Sequence, residues 1–257
     1  MSNLFFKVSG FNSARELPVV LNVDNLIPTP TLEYSAYGHW EFGVDASSLI
    51  DKVNGRVLSV QSGATVQPVY NDGNIQLAAA NGNALISDFV DAANQDVTML
   101  FVAKASSNTN HVLGGSLPSP NTGATGFRQL LSYGKVYMSA KPMAANDTGI
   151  MANVTTNQAI LQSSNILVAM SVNKLTRQCL LYTQQGGVES SVIGAFTRPY
   201  ETSVNPLAIG NAYETTTSAA TTSFYEAIIF NKALNIDEIK AVVNRAKVRL
   251  VARGIAL

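Results

Sequence analysis

Cysteine is almost missing from this chain of 257 residues: there is one, Cys179. A single thiol excludes an intrachain disulfide framework and a cysteine-based zinc cluster. Its setting, Cys179-Leu180-Leu181-Tyr182, reads as that of a small buried hydrophobe. Histidine is nearly as scarce, so a nucleophilic triad has only His39 and His111 as candidate bases. His39 adjoins Trp40 in a strand-like run and reads as structural; His111 lies in a polar stretch and reads as solvated. Neither stands at a metal-ligand spacing. Charge is sparse and balanced, at 13% of residues with 17 basic against 17 acidic. That balance supplies no field to steer nucleic acid or an anionic membrane. No Gly-x-Ser-x-Gly elbow, Walker loop or strand-adjacent Gly-x-Gly-x-x-Gly occurs. No apolar run is long enough to cross a bilayer, and the N-terminus lacks the basic and apolar regions of a secretory signal. The expectation is a protein that stays in the cytoplasm, or one that leaves it inside a particle assembled there, such as a phage.

What is present is clearest in the last fifth of the chain. Phe224-Tyr225-Glu226-Ala227-Ile228-Ile229-Phe230 has the aromatic and aliphatic character of a strand. After a turn, Asn235 stands as an N-cap with Glu238 at N3, a capping box, and Leu234 and Ile239 are spaced as its hydrophobic staple. Ile236, Ile239, Val242, Val243, Ala246 and Leu250 then recur at helical spacing, predicting an amphipathic helix over 236–250. Lys240, Arg245, Lys247, Arg249 and Arg253 fit the solvated face and the basic end that the helix dipole favours, rather than a nucleic-acid surface.

Upstream, from Tyr34 to Tyr213, short apolar segments alternate with turn clusters. Val57–Val60, Ile75–Leu77, Ala84–Ile86 and Val136–Met138 are separated by Asn71-Asp72-Gly73-Asn74, Asn81-Gly82-Asn83 and Tyr133-Gly134, which supply the positive φ of tight hairpins. This pattern predicts an all-β fold, an antiparallel sandwich. Residues 1–36 differ: two short strand-like runs end at Ile27-Pro28-Thr29-Pro30, an extended linker. They read as an edge hairpin on the sandwich or as an arm that docks on a neighbouring subunit. Two polar stretches, Ser106–Gly126 and Thr215–Thr222, read as long loops, a class that is often functional.

The closing strand and its "Leu…Glu-Ile" helix resemble the end of laminin-G-like, concanavalin A-type jelly rolls. Further stretches are similar to the same template in order: His39-Trp40-Glu41-Phe42 with Ser48–Gly55, then Asp96–Ala103, Asn165–Val172, Arg177–Tyr182 and Pro206–Asn211. The resemblance covers the chain from about Tyr37 onward and implies a jelly-roll domain over 37–257, including the C-terminal helix. It leaves activity open. Calcium is common in such domains, and Asp45, Asp51 and Asn54, or Asp88 and Asp91, are the oxygen donors at hand; turn formation explains them equally well, and no metal or cofactor is assigned. Glycanases of the superfamily carry alternating Glu-x-Asp-x-Glu carboxylates, which are missing. The nearest approach, Glu41 and Asp45, stands about 13 Å apart in an extended strand, too far for hydrolysis.

The expected function is therefore a non-enzymatic virion component, of phage tail or capsid surface, with glycan binding at the rim loops. A polysaccharide-degrading enzyme and a purely architectural subunit are the competing classes. Tyr200 and Tyr213, expected at the surface in polar turn-like contexts, are the candidate stacking residues, with Asn211 and Asn110 as hydrogen-bonding partners. Tyr37 and Tyr70 are further aromatic candidates, while Trp40 is placed in the core by its alternation with Phe42. Other virion subunits, met through residues 1–30, and cell-surface polysaccharide are the expected partners, in a homo-oligomer.

Overall fold

The computed structural model describes residues 31–118, 124–142, 152–215 and 218–257. The expected arm, residues 1–30, lies outside them, as do 119–123 and 216–217 of the two polar stretches. In chain order the strands are β1 (Gly38–Glu41), β2 (Ser59–Val60), β3 (Val69–Asn71), β4 (Asn74–Ala78) and β5 (Asn83–Ile86). Then come β6 (Val97–Ala105), β7 (His111–Gly115), β8 (Gly126–Ser132), β9 (Lys135–Lys141) and β10 (Ala152–Thr155). The last are β11 (Ile166–Asn173), β12 (Gln178–Gln185), β13 (Val188–Ala195), β14 (Ala208–Asn211) and β15 (Thr221–Phe230), followed by helix α1 (Ile236–Ala252).

They form two antiparallel sheets. The larger runs β13-β12-β11-β6-β15-β4-β3, with β1 also on β15; the smaller runs β10-β9-β8-β7-β14-β5-β2. The all-β sandwich with a C-terminal helix is thus as the sequence predicts. Alternation along the central strands decides which side chain faces which layer. Met99, Phe101 and Ala103 of β6 point inward with Trp40, Val168, Met170, Leu181, Phe224 and Ile229, and meet Leu85, Leu113, Phe127, Met138 and Ile209 of the smaller sheet. Leu100 and Val102 point outward with Leu167, Ile228 and Phe230, and α1 covers them.

The helix begins where the sequence places it. Asn235 accepts from the backbone N–H of Asp237 and Glu238, and Glu238 reciprocates to the Asn235 N–H. Ile239, Val242, Val243, Ala246 and Leu250 are buried on the larger sheet. The helix continues two residues past the expected end, to Ala252.

Two turn expectations divide. Tyr133 and Gly134 have φ of 46° and 75°, the paired positive φ of a tight hairpin joining β8 to β9. Asn81-Gly82-Asn83 is not a hairpin. It carries the chain from β4 in the larger sheet to β5 in the smaller one.

The polar stretch 106–126, expected as one loop, contains β7, so its described parts lie at opposite ends of the sandwich. Glycine there serves close approach rather than flexibility. A Cβ on Gly114 would lie 2.6 Å from both the Phe101 ring and the Ala208 carbonyl. His111, expected to be solvated, is fully buried at the start of this strand. Its Nδ1 meets Thr222 Oγ1 at 2.8 Å, and burial holds its pKa below the ordinary value.

Candidate binding cleft

One end of the sandwich carries the loops 87–96, 174–177 and 196–207. A single carboxylate ties them together. Asp91 accepts from Lys174 Nζ with one oxygen, and from the Ser203 N–H at 2.8 Å with the other. Lys174 Nζ also donates to the Ala92 carbonyl at 2.6 Å and sits 4.3 Å over the Tyr200 ring. Both side chains of the pair are buried. Burial lowers the Lys174 pKa, and the Asp91 carboxylate opposes that shift. A buried pair of this kind gains little net stability, because desolvation offsets the attraction, but removing either partner leaves an uncompensated charge. Its consequence here is geometric: three loops from distant parts of the chain are fixed to one another.

Above this pair opens a cleft of about 250 Å³ between residues 87–91 and 203–206. Val90 and Val204 stand on its walls, 79% and 91% exposed. Asp88 lines one side and joins a surface cluster with Tyr37 and Arg56. The Arg56 guanidinium lies 3.8 Å over the Tyr37 ring and donates to Asp88 Oδ2 at 2.8 Å, while the Tyr37 hydroxyl donates to Asp88 Oδ1 at 3.1 Å. Phe89 packs edge-on to Tyr37 with ring centroids 4.9 Å apart. Burial, and then Asp88, raise the Tyr37 pKa. On the other side Asn205 donates from Nδ2 to the Ser116 carbonyl at 3.0 Å, and the Tyr213 hydroxyl donates to the Pro206 carbonyl at 2.9 Å. The cleft therefore offers aliphatic surface beside amide, hydroxyl and carbonyl groups, with its exposed carboxylate already paired to a guanidinium.

Of the four residues expected to contact ligand, one borders this cleft. Tyr213 is half-buried beside Ile86, Ala84 and Ala208, and burial pushes its phenol up to about 12. Tyr200 is not at the surface. It is buried between Phe127 and Phe196, and burial followed by the Asp91 charge holds its pKa well above the ordinary value. Asn211 is buried and organises a turn, accepting from the Glu214 N–H at 2.9 Å and donating to the Ala79 carbonyl at 2.8 Å. Asn110 is exposed at the opposite end of the sandwich, where it accepts from Ser132 Oγ. The residues that do line the cleft, Asp88, Val90, Val204 and Asn205, had a weak signal in the sequence: two acids flanking Phe89 in a loop.

Among the described residues, one group of side chains stands close enough to hold a metal ion. Ligand atoms of His39, Glu41 and Glu226 lie within 4.8 Å of one another, since Glu41 and Glu226 face each other across β1 and β15. This trio lies on the face beneath α1, away from the cleft. His39 Nδ1 accepts from the Glu33 N–H at 3.1 Å, so the ring proton belongs on Nε2, which lies 3.2 Å from Glu226 Oε1. A protonated nitrogen is no ligand. Arg249 takes the same Oε1 and also donates to Glu33 at 2.9 Å and to the Thr31 carbonyl at 2.6 Å. Burial works to raise the Glu226 pKa, but His39 and Arg249 outweigh it and hold the carboxyl below its usual range. The cluster is a polar lock between helix, sheet and the segment entering β1.

The calcium candidates do not converge either. Asp51 accepts backbone N–H groups from His39, Val53, Asn54 and Arg56. Asn54 points its amide nitrogen at the carbonyls of Ala36 and Tyr37. Asp45 caps a short 3-10 helix through the Ser47 N–H. These are turn-forming roles and provide no oxygen cage.

No family model and no curated protein sequence matches the chain. Solved structures do. The binding domain of botulinum neurotoxin DC in complex with SialylT is similar at TM-score 0.56 and 12% identity, over 82% of this chain and 51% of that one. The botulinum neurotoxin serotype D ligand binding domain in complex with N-acetylneuraminic acid matches at TM-score 0.55 and 12% identity, with the same coverage. The binding domain of neurotoxin DC in complex with rat synaptotagmin II matches at TM-score 0.55 and 10% identity. What is shared is the fold. The chain spans about half the length of these domains, so the likeness carries the sandwich and not a ligand site.

Proposed function

We propose that this protein is a non-enzymatic binding module that takes a glycan in the cleft between residues 87–91 and 203–206, and that it is displayed on the surface of a virion. The observation that carries the binding reading is the cleft itself. Exposed Val90 and Val204 offer apolar contact to the C–H face of a sugar, and the groups around Asp88 and Asn205 offer hydrogen bonds, on walls pinned in advance by Asp91. A preformed cleft loses less free energy on ordering, which favours weak, hydroxyl-rich ligands. Support also comes from fold neighbours solved with N-acetylneuraminic acid or with rat synaptotagmin II.

The virion reading rests on the low charge, the Ser-, Thr- and Asn-rich loops and the jelly-roll resemblance. The enzyme reading is disfavoured because, of the close carboxylates Glu41 and Glu226, Glu226 is fully buried and paired to Arg249. A glycan array tests the binding reading, with loss of the array signal in Asn205→Ala as the expected result. A reducing-sugar release assay on the bound glycans tests the enzyme reading; turnover abolished by Glu41→Gln would replace the proposal with hydrolysis. Antibody labelling of particles tests the virion assignment.

A further inference from the structure

The sheet-ending strands of this sandwich are unequal. Among the described residues β3 has three residues, β2 two and β10 four. β1 has four and is largely buried, and Pro68 stands just before β3. Shortness, burial and proline are ordinary protections of a sheet edge against pairing with another chain. β13 has none of them. It runs for eight residues, Val188-Glu189-Ser190-Ser191-Val192-Ile193-Gly194-Ala195, without proline or lysine. Its register with β12 is unbroken from Gln178↔Ala195 to Gln185↔Val188, so no bulge turns it aside. Its one charge, Glu189, is already engaged, accepting from the Tyr182 hydroxyl at 2.8 Å with Lys240 Nζ at 3.4 Å. Ile193 is 66% exposed beside an apolar hollow of about 240 Å³ that Leu180, Leu234 and Ile236 also line.

We propose that two copies of this chain pair through β13, antiparallel about a two-fold axis, so that the larger sheets join into one. The occupant follows from the strand. An antiparallel pair of identical strands is self-complementary and closes as a dimer. Side-chain parity requires opposed residues to share a face. Leu180 and Tyr182, which pack beneath α1, pair with Ile193 and Ser191, so the odd-numbered positions of β13 face outward with the helix. Centring the axis on Ser191 overlaps seven of the eight residues, 188–194. It sets Glu189 opposite the partner's Ile193, so no like charges meet. This interface is independent of the rim cleft and of the glycan reading.

The test is the mass of the full chain in solution, by light scattering and sedimentation equilibrium from dilute to concentrated samples. The expected species is twice the 27.3 kDa chain mass. Ser191→Lys alters an exposed position only and should leave the far-UV circular dichroism of the fold unchanged, but it sets two lysines against each other on the axis and should return the protein to a monomer. Ser191→Cys should cross-link under mild oxidation, since opposed strand residues have Cα atoms within disulfide range; Cys179 is buried, with its thiol pushed up to about 11, and does not compete. A monomeric wild type, or an oligomer that the lysine variant leaves intact, would overturn the proposal; the latter is what docking through residues 1–30 would give. Failure of Ser191→Cys to cross-link would overturn the two-fold register.

Discussion

Two regions of this sandwich hold buried ion pairs, and they differ in what lies next to them. Under α1, Arg249 joins Glu33 and Glu226 with His39 alongside, and the helix seals the group from solvent. At the rim, Lys174 and Asp91 are just as buried, yet a cleft opens over them with exposed apolar and hydrogen-bonding walls. In the first cluster the carboxylates of Glu33 and Glu226 are buried and held by Arg249. The second has the room and no spare charge. Of the two, the rim is the one with open access.

The largest effect is expected at the helix. Arg249→Met should destabilise the fold by about 3–5 kcal/mol, because Glu226 is left buried without its guanidinium. Thermal and denaturant unfolding read this directly. A loss no larger than that of an exposed pair would show that the lock is hydrated and the seal incomplete. Next in size, Tyr200→Ala should cost about 3 kcal/mol by opening a cavity between Phe127 and Phe196. Tyr213→Ala, at a half-buried ring, should cost distinctly less in the same denaturant series.

A smaller effect is expected on acidification. The Glu226 pKa is lower folded than unfolded, so its contribution is complete above the ordinary value of 4.5 and is lost as pH falls through the folded value. Unfolding free energy should therefore decline with decreasing pH below about 4.5, and the decline should be shallower in Glu226→Gln. Equal slopes would remove Glu226 from the lock. Smallest of all, Arg56→Met at the exposed Tyr37–Asp88 cluster should change stability by less than about 1 kcal/mol.

Much of the fold was legible in the sequence because its signals are local. The capping box at Asn235 and Glu238, the stripe from Ile236 to Leu250 and the Tyr133-Gly134 turn each depend on neighbours within a few residues. β7 was hidden because Gly114 and Gly115 read as loop, whereas the space they leave is required by Phe101 and Phe127, from other strands. Tyr200 was misplaced for the same reason. Its neighbours in sequence are polar, but its neighbours in space are Phe127, Phe196 and Lys174. The cleft was least legible. Asp88 and Asp91 are recognisable as a pair of loop acids, but their partners lie 32 and 83 residues away, at Arg56 and Lys174, and only the fold brings them together.

On the proposed reading the rim cleft, and not the carboxylates under α1, is where this protein meets its ligand. Val204 provides the most direct handle, since it projects almost entirely into solvent from the cleft wall. Calorimetric titration of the strongest glycan from an array should show binding to the wild type that changes little between low and moderate salt, because no unpaired charge is engaged. Val204→Trp should abolish that binding while leaving the melting temperature unchanged. Undiminished affinity in Val204→Trp would contradict the account and move the binding site elsewhere on the sandwich.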